Sequence, residues 1–146
     1  MKKIFLSILI FLIILLSILI VSRKYIQGKD SDFYVVVKMS VGNILPEVAD
    51  SINIGDYLID SDGNKIFVVI DKIEKYSEVP VETSDGRILK VSHPINKSLY
   101  LTVKSTKPSK KLVLSYNRVS VRIGGKIIFE TSKTRFVGTI LSLDKE

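Results

Sequence analysis

The spacing of apolar residues divides the chain into two regimes. From Ile4 to Ser22 the sequence IFLSILIFLIILLSILIVS is apolar apart from Ser7, Ser17 and Ser22, and its Ile and Leu residues circle a helix without favouring one stripe. A helix that is apolar all round belongs in lipid or deep inside a large protein. A chain of 146 residues leaves no room for the second option. At about 1.5 Å per residue the run spans roughly 28 Å, close to the hydrocarbon thickness of a bilayer. An uncleaved transmembrane anchor over 1–24 is therefore expected. A signal peptide would also begin on Lys2-Lys3, but this run exceeds an ordinary signal core, and Val21-Ser22-Arg23-Lys24 offers no small-x-small cleavage site.

After a polar linker at 25–32, the pattern changes to short extended runs rich in Val, Ile, Phe and Tyr. Strands are expected near 33–40, 56–60, 65–73, 99–105, 121–130 and 135–143. Ile44, Val48 and Ile52 recur at helical spacing beside Leu45 and Ala49, which predicts one or two turns of amphipathic helix. Ser61-Asp62-Gly63-Asn64 and Thr83-Ser84-Asp85-Gly86 are hairpin signals, because Asp-Gly readily takes the positive φ of tight turns. The second turn lies between Val79-Pro80-Val81-Glu82 and Arg87-Ile88-Leu89-Lys90-Val91, which adds two strands and makes eight.

Several blocks then repeat in order. Tyr34–Ser40 matches Tyr100–Thr106, Ile54–Ile59 matches Ile123–Ile128, and Phe67-Val68-Val69 matches Phe136-Val137-Gly138. With one gap, Ile70–Lys75 matches Ile140–Lys145. The domain at 33–146 thus reads as two related units, about 34–75 and 100–145, joined by a hairpin. Eight strands in two units close most economically as a small barrel. The expected fold is an N-terminal transmembrane helix plus a mainly-β domain, a pseudo-twofold duplicated β-barrel with one short helix. The Ile-Gly-Asp turn at 54–56 resembles the turn found once per half in cradle-loop barrels, an analogy that sets no function.

Net charge changes the picture only once it is divided along the chain. Residues 30–85 hold 12 acids and 4 bases, whereas residues 86–146 hold 3 acids and 13 bases. Either the halves pack against each other and their fields compensate, or the basic half faces an anionic partner. In the second case Lys104, Lys107, Lys110, Lys111, Arg118, Arg122 and Lys126 form the contact surface, and a lipid headgroup, teichoic acid or acidic glycan would fit it. No nucleic-acid recognition motif accompanies the charge, so nucleic acid is not expected.

Candidate chemistry is sparse. There is no cysteine and one histidine, His93, which precedes Pro94 and reads as a loop residue. No nucleophile elbow, phosphate loop or paired metal-ligand histidines are present. Asp60-Ser61-Asp62-Gly63-Asn64 starts like a calcium loop, but the twelfth position is Asp71 and a strand intervenes, so a hairpin turn accounts for it. Asp56 is expected to cap backbone N–H groups. No catalytic residue, metal or cofactor is expected, and the reading is of a non-enzyme.

The whole chain resembles domain-of-unknown-function family 4330, single-pass bacterial envelope proteins. The resemblance rests on the leading apolar helix, Ile54-Gly55-Asp56, Gly86 and the strand Leu99-Tyr100-Leu101-Thr102-Val103. It continues through Val121-Arg122-Ile123-Gly124-Gly125-Lys126 and Phe136-Val137-Gly138-Thr139-Ile140, covering about residues 4–143. Val69 departs from it, since a glycine matching Gly138 is expected there. The resemblance implies an envelope protein, with a link to surface polysaccharide, and carries no known activity. The expected function is a scaffold or binding module anchored in the cell membrane, N-terminus cytoplasmic and C-terminal domain extracytoplasmic. Its partners would be the lipid bilayer and an envelope protein or anionic polymer. The alternative is a subunit of a membrane transport or polysaccharide-export complex that assembles through its transmembrane helix.

Overall fold

Alternation of buried and exposed side chains organises the β-domain. In β1 (Val35–Ile44), Val35, Val37, Met39 and Val41 are buried. The opposite face, which carries Lys38, turns to solvent, as period two requires of a half-buried strand. The chain continues through α1 (Pro46–Ser51), β2 (Tyr57–Ile59), β3 (Lys65–Glu82), β4 (Ile88–Ser105), β5 (Ser115–Tyr116), β6 (Val119–Ser120), β7 (Lys126–Glu130) and β8 (Arg135–Lys145). The computed structural model describes Ser17 and residues 32–146, so the expected anchor, Ser17 apart, and the linker up to residue 31 lie outside the described residues. Among the described residues no helix is long and apolar enough to cross a membrane.

Six strands form one antiparallel sheet in the order β1-β4-β3-β2-β7-β8, and β8 also pairs with β1, so every strand has two neighbours. β5 and β6 make a separate two-stranded hairpin. Inside the ring lie Leu58, Phe67, Val69, Leu99, Leu101, Val103, Ile127, Phe129, Phe136 and Ile140, with Ala49 and Ile52 contributed from the α1 region. Tyr116 stands beside Phe67 and Phe129, with ring centroids 6.3 and 4.8 Å away. Burial of these side chains drives the fold, at about 1.5–3 kcal/mol for each large apolar group.

The eight expected strands become six plus a small hairpin. The runs around Thr83–Gly86 are no separate pair: they are the outer lengths of β3 and β4. The expected strand at 121–130 starts at Lys126, because Val121–Gly125 form a turn in which Gly125 N–H donates to Arg122 O at 2.9 Å. The expected helix at 44–52 is present as Pro46–Ser51.

The two halves repeat one local geometry. Gly55 N–H donates to Val69 O at 2.8 Å, and Val69 N–H donates to Asp56 O at 2.9 Å. Gly124 N–H donates to Ile140 O at 2.8 Å, and Ile140 N–H donates to Gly125 O at 2.9 Å. Both leading glycines have positive φ, +91° and +80°, which a side chain would strain. One residue after each acceptor the ladder bulges, leaving Ile70 in β3 and Leu141 in β8 without a cross-strand partner on β4 and β1. These bonds equate Val69 with Ile140 and Phe67 with Gly138, two residues away from the match read from side chains. The cause is hairpin length, since β7 has five residues where β2 has three. Gly138 therefore corresponds to Phe67, and no glycine is called for at Val69.

Beyond the ring, β3 and β4 continue as an arm. From Glu78↔Ser92 to Glu82↔Ile88 the two strands have only each other. At its root the register jumps from Tyr76↔Lys97 to Glu78↔Ser92. His93 Nδ1 accepts the N–H groups of Ile95 and Asn96 there, at 3.1 and 2.8 Å.

Candidate functional site

The seven basic residues singled out from sequence occupy different surroundings. Lys104 lies on β4, where its ammonium pairs with Glu146 at 3.0 Å and stands 4.7 Å from the centre of the Tyr34 ring. It is engaged within the domain. Lys107, Lys110 and Lys111 lie in the segment after β4, Arg118 in the turn between β5 and β6, Arg122 in the Gly124 turn and Lys126 at the start of β7. All six are exposed and form no ion pair among the described residues.

This bears on the two explanations of the charge asymmetry. Among the described residues, direct pairing between the acidic and basic halves comes from Lys97 and from the exposed Arg87–Asp85 pair in the arm turn. Lys97 reaches Asp50 of α1 at 3.1 Å and Glu74 of β3 at 3.0 Å. Hydrogen bonds from Lys72 and then Lys97 hold the Glu74 carboxyl below its ordinary range, and Glu74 in turn raises Lys97. The other pairs lie within one half or the other. Compensation between the halves leaves most of the basic residues uncommitted.

Two shallow clefts gather some of that charge on either side of the β5–β6 hairpin. One, of about 340 Å³, is lined by Lys65 and Lys107 with Asn64, Thr106 and Ser115. The other, of about 380 Å³, is lined by Lys126 and Arg135 with Tyr116, Asn117 and Glu130. Lys65 and Arg135 escaped the sequence reading. Lys65 belongs to the acidic half, and Arg135 lies beyond the acid-free stretch; only strand pairing brings each beside a cleft. Arg135 is partly neutralised by Glu130. Lys104, Lys110, Lys111, Arg118 and Arg122 line neither cleft.

The polar groups singled out from sequence serve the backbone. Among the described residues no group of three or more His, Asp or Glu is placed to hold a metal ion. Asp60 Oδ1 accepts the N–H groups of Asp62 and Asn64, and Oδ2 accepts the Asn64 amide, which closes a hairpin turn. The Asn64 side chain, then its backbone, lowers the Asp60 carboxyl from its ordinary value. Asp56 Oδ2 accepts the Asn53 N–H at 2.8 Å, a backbone cap as expected. His93 lies in β4 and not in a loop, and its Nδ1 is occupied by the two backbone bonds at the root of the arm.

The arm itself presents two unlike faces. Val79 stands opposite Val91 and Val81 opposite Leu89, so all four share one face, with Val81, Leu89 and Val91 exposed. Glu78, Pro80 and Glu82 stand opposite Ser92, Lys90 and Ile88 on the other. No family model, curated protein or solved structure matches the chain.

Proposed function

We propose that this chain is a non-enzymatic envelope protein, anchored by the apolar helix at 4–22, whose β-domain binds an anionic polymer outside the membrane. The observation that carries this reading is the uncommitted charge: Lys107 and Lys126 line clefts flanking one hairpin and form no ion pair among the described residues. Shallow clefts of mixed polar and apolar lining, bordered by lysine, suit repeated, low-affinity contacts with phosphate or carboxylate groups along a chain. The repeated glycine turns and matched bulges support a pseudo-twofold, cradle-loop-like barrel as the carrier. Likeness to domain-of-unknown-function family 4330 is part of the same proposal. Retention of the detergent-solubilised full chain on immobilised teichoic acid tests it. Lys107→Glu with Lys126→Glu is expected to abolish retention, while Lys90→Glu on the arm leaves it unchanged. Equal retention of all three proteins would remove the clefts from the contact.

A second reading, a subunit of a membrane transport or polysaccharide-export complex, is favoured by the arm. Its face of Val79, Val81, Leu89 and Val91 has no covering layer in the described domain. An isolated two-stranded ribbon is marginal in water. Sidedness underlies both readings. Protease added to intact protoplasts should remove a C-terminal epitope; protection of that epitope would place the domain in the cytoplasm.

A further inference from the structure

We infer that the corner where the chain joins the β-domain is a docking surface for an anionic lipid bilayer, an inference that rests on reading 4–22 as a membrane span. Phe33 is fixed to Ser109 by a reciprocal pair of backbone bonds, N–H to O at 3.1 Å and back at 2.8 Å. The segment Thr106–Lys111 therefore runs beside the first residue of the domain. Its backbone is held from within: Ser105 Oγ donates to Lys107 O at 2.9 Å, and Ser109 Oγ donates to Lys111 O at 2.9 Å while accepting Lys111 N–H at 3.0 Å. Lys107, Lys110 and Lys111 project from this braced loop into solvent.

Lys104 is neutralised by Glu146, and the Lys145 ammonium stands 4.5 Å from the centre of the Phe33 ring. Asp144 accepts the Ser142 hydroxyl at 3.0 Å, and Asp32 is exposed. Among the described residues, three lysines without an ion pair and Lys145 thus face the Asp32 and Asp144 carboxylates, a positive surplus.

Chain length supplies the occupant. Ten residues, 23–32, separate the end of the apolar run from Phe33. Fully extended they reach about 35 Å, and as a flexible chain roughly 18 Å. If 4–22 spans a bilayer, a segment of that length lets the corner reach the headgroups and touch them. A free polyanion must compete with that permanent local concentration. Headgroup phosphates need no shaped pocket, which suits lysines on an open loop. Lys107 is shared with the polymer cleft, but Lys110 and Lys111 line neither cleft, so their reversal reads this surface apart from the polymer contact.

The chain has no cysteine, so Pro108→Cys places a single environment-sensitive dye in the loop. The labelled full chain is reconstituted in phosphatidylcholine vesicles with and without phosphatidylglycerol, and quenching by neutral acrylamide is read. Quenching is expected to fall several-fold with phosphatidylglycerol, and to recover in high salt. Each lysine near an anionic surface contributes about fivefold to binding, so Lys110→Glu with Lys111→Glu should lower the docked population by at least about tenfold. Equal quenching in both vesicles, or shielding that survives the double reversal, overturns the docking surface while leaving the anchor intact. Failure to float with neutral vesicles overturns the anchor and this inference with it.

Discussion

Tyr116 donates its hydroxyl proton to the carbonyl of Ile59 and accepts the Glu130 N–H at 3.0 Å. Ile59 and Glu130 are the one residue pair joining β2 to β7 among the described residues. A side chain from the β5–β6 hairpin thus completes the seam where the ladder is thinnest. The hydroxyl compensates backbone groups that would otherwise be left short of partners next to the core, and its ring packs on Phe67 and Phe129. Tyr116→Phe keeps the ring and removes both bonds. It is expected to cost about 1 kcal/mol in urea unfolding, because two part-buried backbone groups lose their partner. A loss no larger than that of a surface substitution would show that the seam closes without it.

The same residue should set an alkaline limit. Burial pushes the Tyr116 hydroxyl above its ordinary value, so the folded state favours the neutral form. A raised folded pKa gives stability that is complete below the unfolded value of about 10 and is lost as pH rises through the folded value. Lys97, also raised, contributes in the same window. Unfolding curves across pH 9–12 should therefore fall less steeply for Tyr116→Phe than for the parent. Parallel curves would remove Tyr116 from the alkaline transition.

At the acid end the working group is Glu74. Its lowered carboxyl, held by Lys72 and then Lys97, gives stability present above the ordinary glutamate value and lost as pH falls through the folded one. Glu74→Gln should flatten the decline in thermal stability below about pH 5. An unchanged acid limb would mean that solvent screens the pair completely.

Gly138 is a packing requirement. A Cβ there would stand 2.9 Å from Met39 Sδ and 3.0 Å from Phe129 Cε2. Gly138→Ala should destabilise by about 1–3 kcal/mol through overpacking. Adding Phe129→Leu to it should cost less than the sum of the two single losses, a coupling that a double-mutant cycle measures. Strict additivity would place the strain elsewhere.

On the arm the expectation is reversed. Val81→Thr with Leu89→Thr removes apolar surface that nothing in the described domain covers. Stability should stay within about 0.5 kcal/mol of the parent, as for ordinary surface changes. Native-state binding of a hydrophobic dye should drop. A large loss of stability would show that the apolar face supports the domain itself.

Much of the fold was legible because it depends on local rules. Alternation at Val35–Val41, the helix signal at Ile44–Ile52 and the turns at Ser61–Asn64 and Thr83–Gly86 need only neighbouring residues to be read. So did the recurrence of two glycine turns. From sequence the hairpin at 79–91 stands as separate strands, because sequence shows a turn and its flanks, while strand continuity through residues 74–78 and 92–98 depends on pairing across the sheet. The two-residue error in the repeat has the same origin: side-chain likeness aligned Phe67 with Phe136, and the backbone bonds to Gly55 and Gly124 set the register instead.

The candidate site divides along the same line. By itself the sequence determined an apolar first segment, a β-rich remainder and an excess of cations after Asp85, since composition and period are properties of the chain alone. Tertiary structure alone decided which cations are spent and which are free. It turned Lys104 towards Glu146 and Tyr34, brought Lys65 and Arg135 to the clefts, and set the lysine loop beside Phe33. The reason is physical. Coulomb and hydrogen-bond energies depend on separations of a few ångströms, and residues distant in sequence acquire those separations only when strands pair.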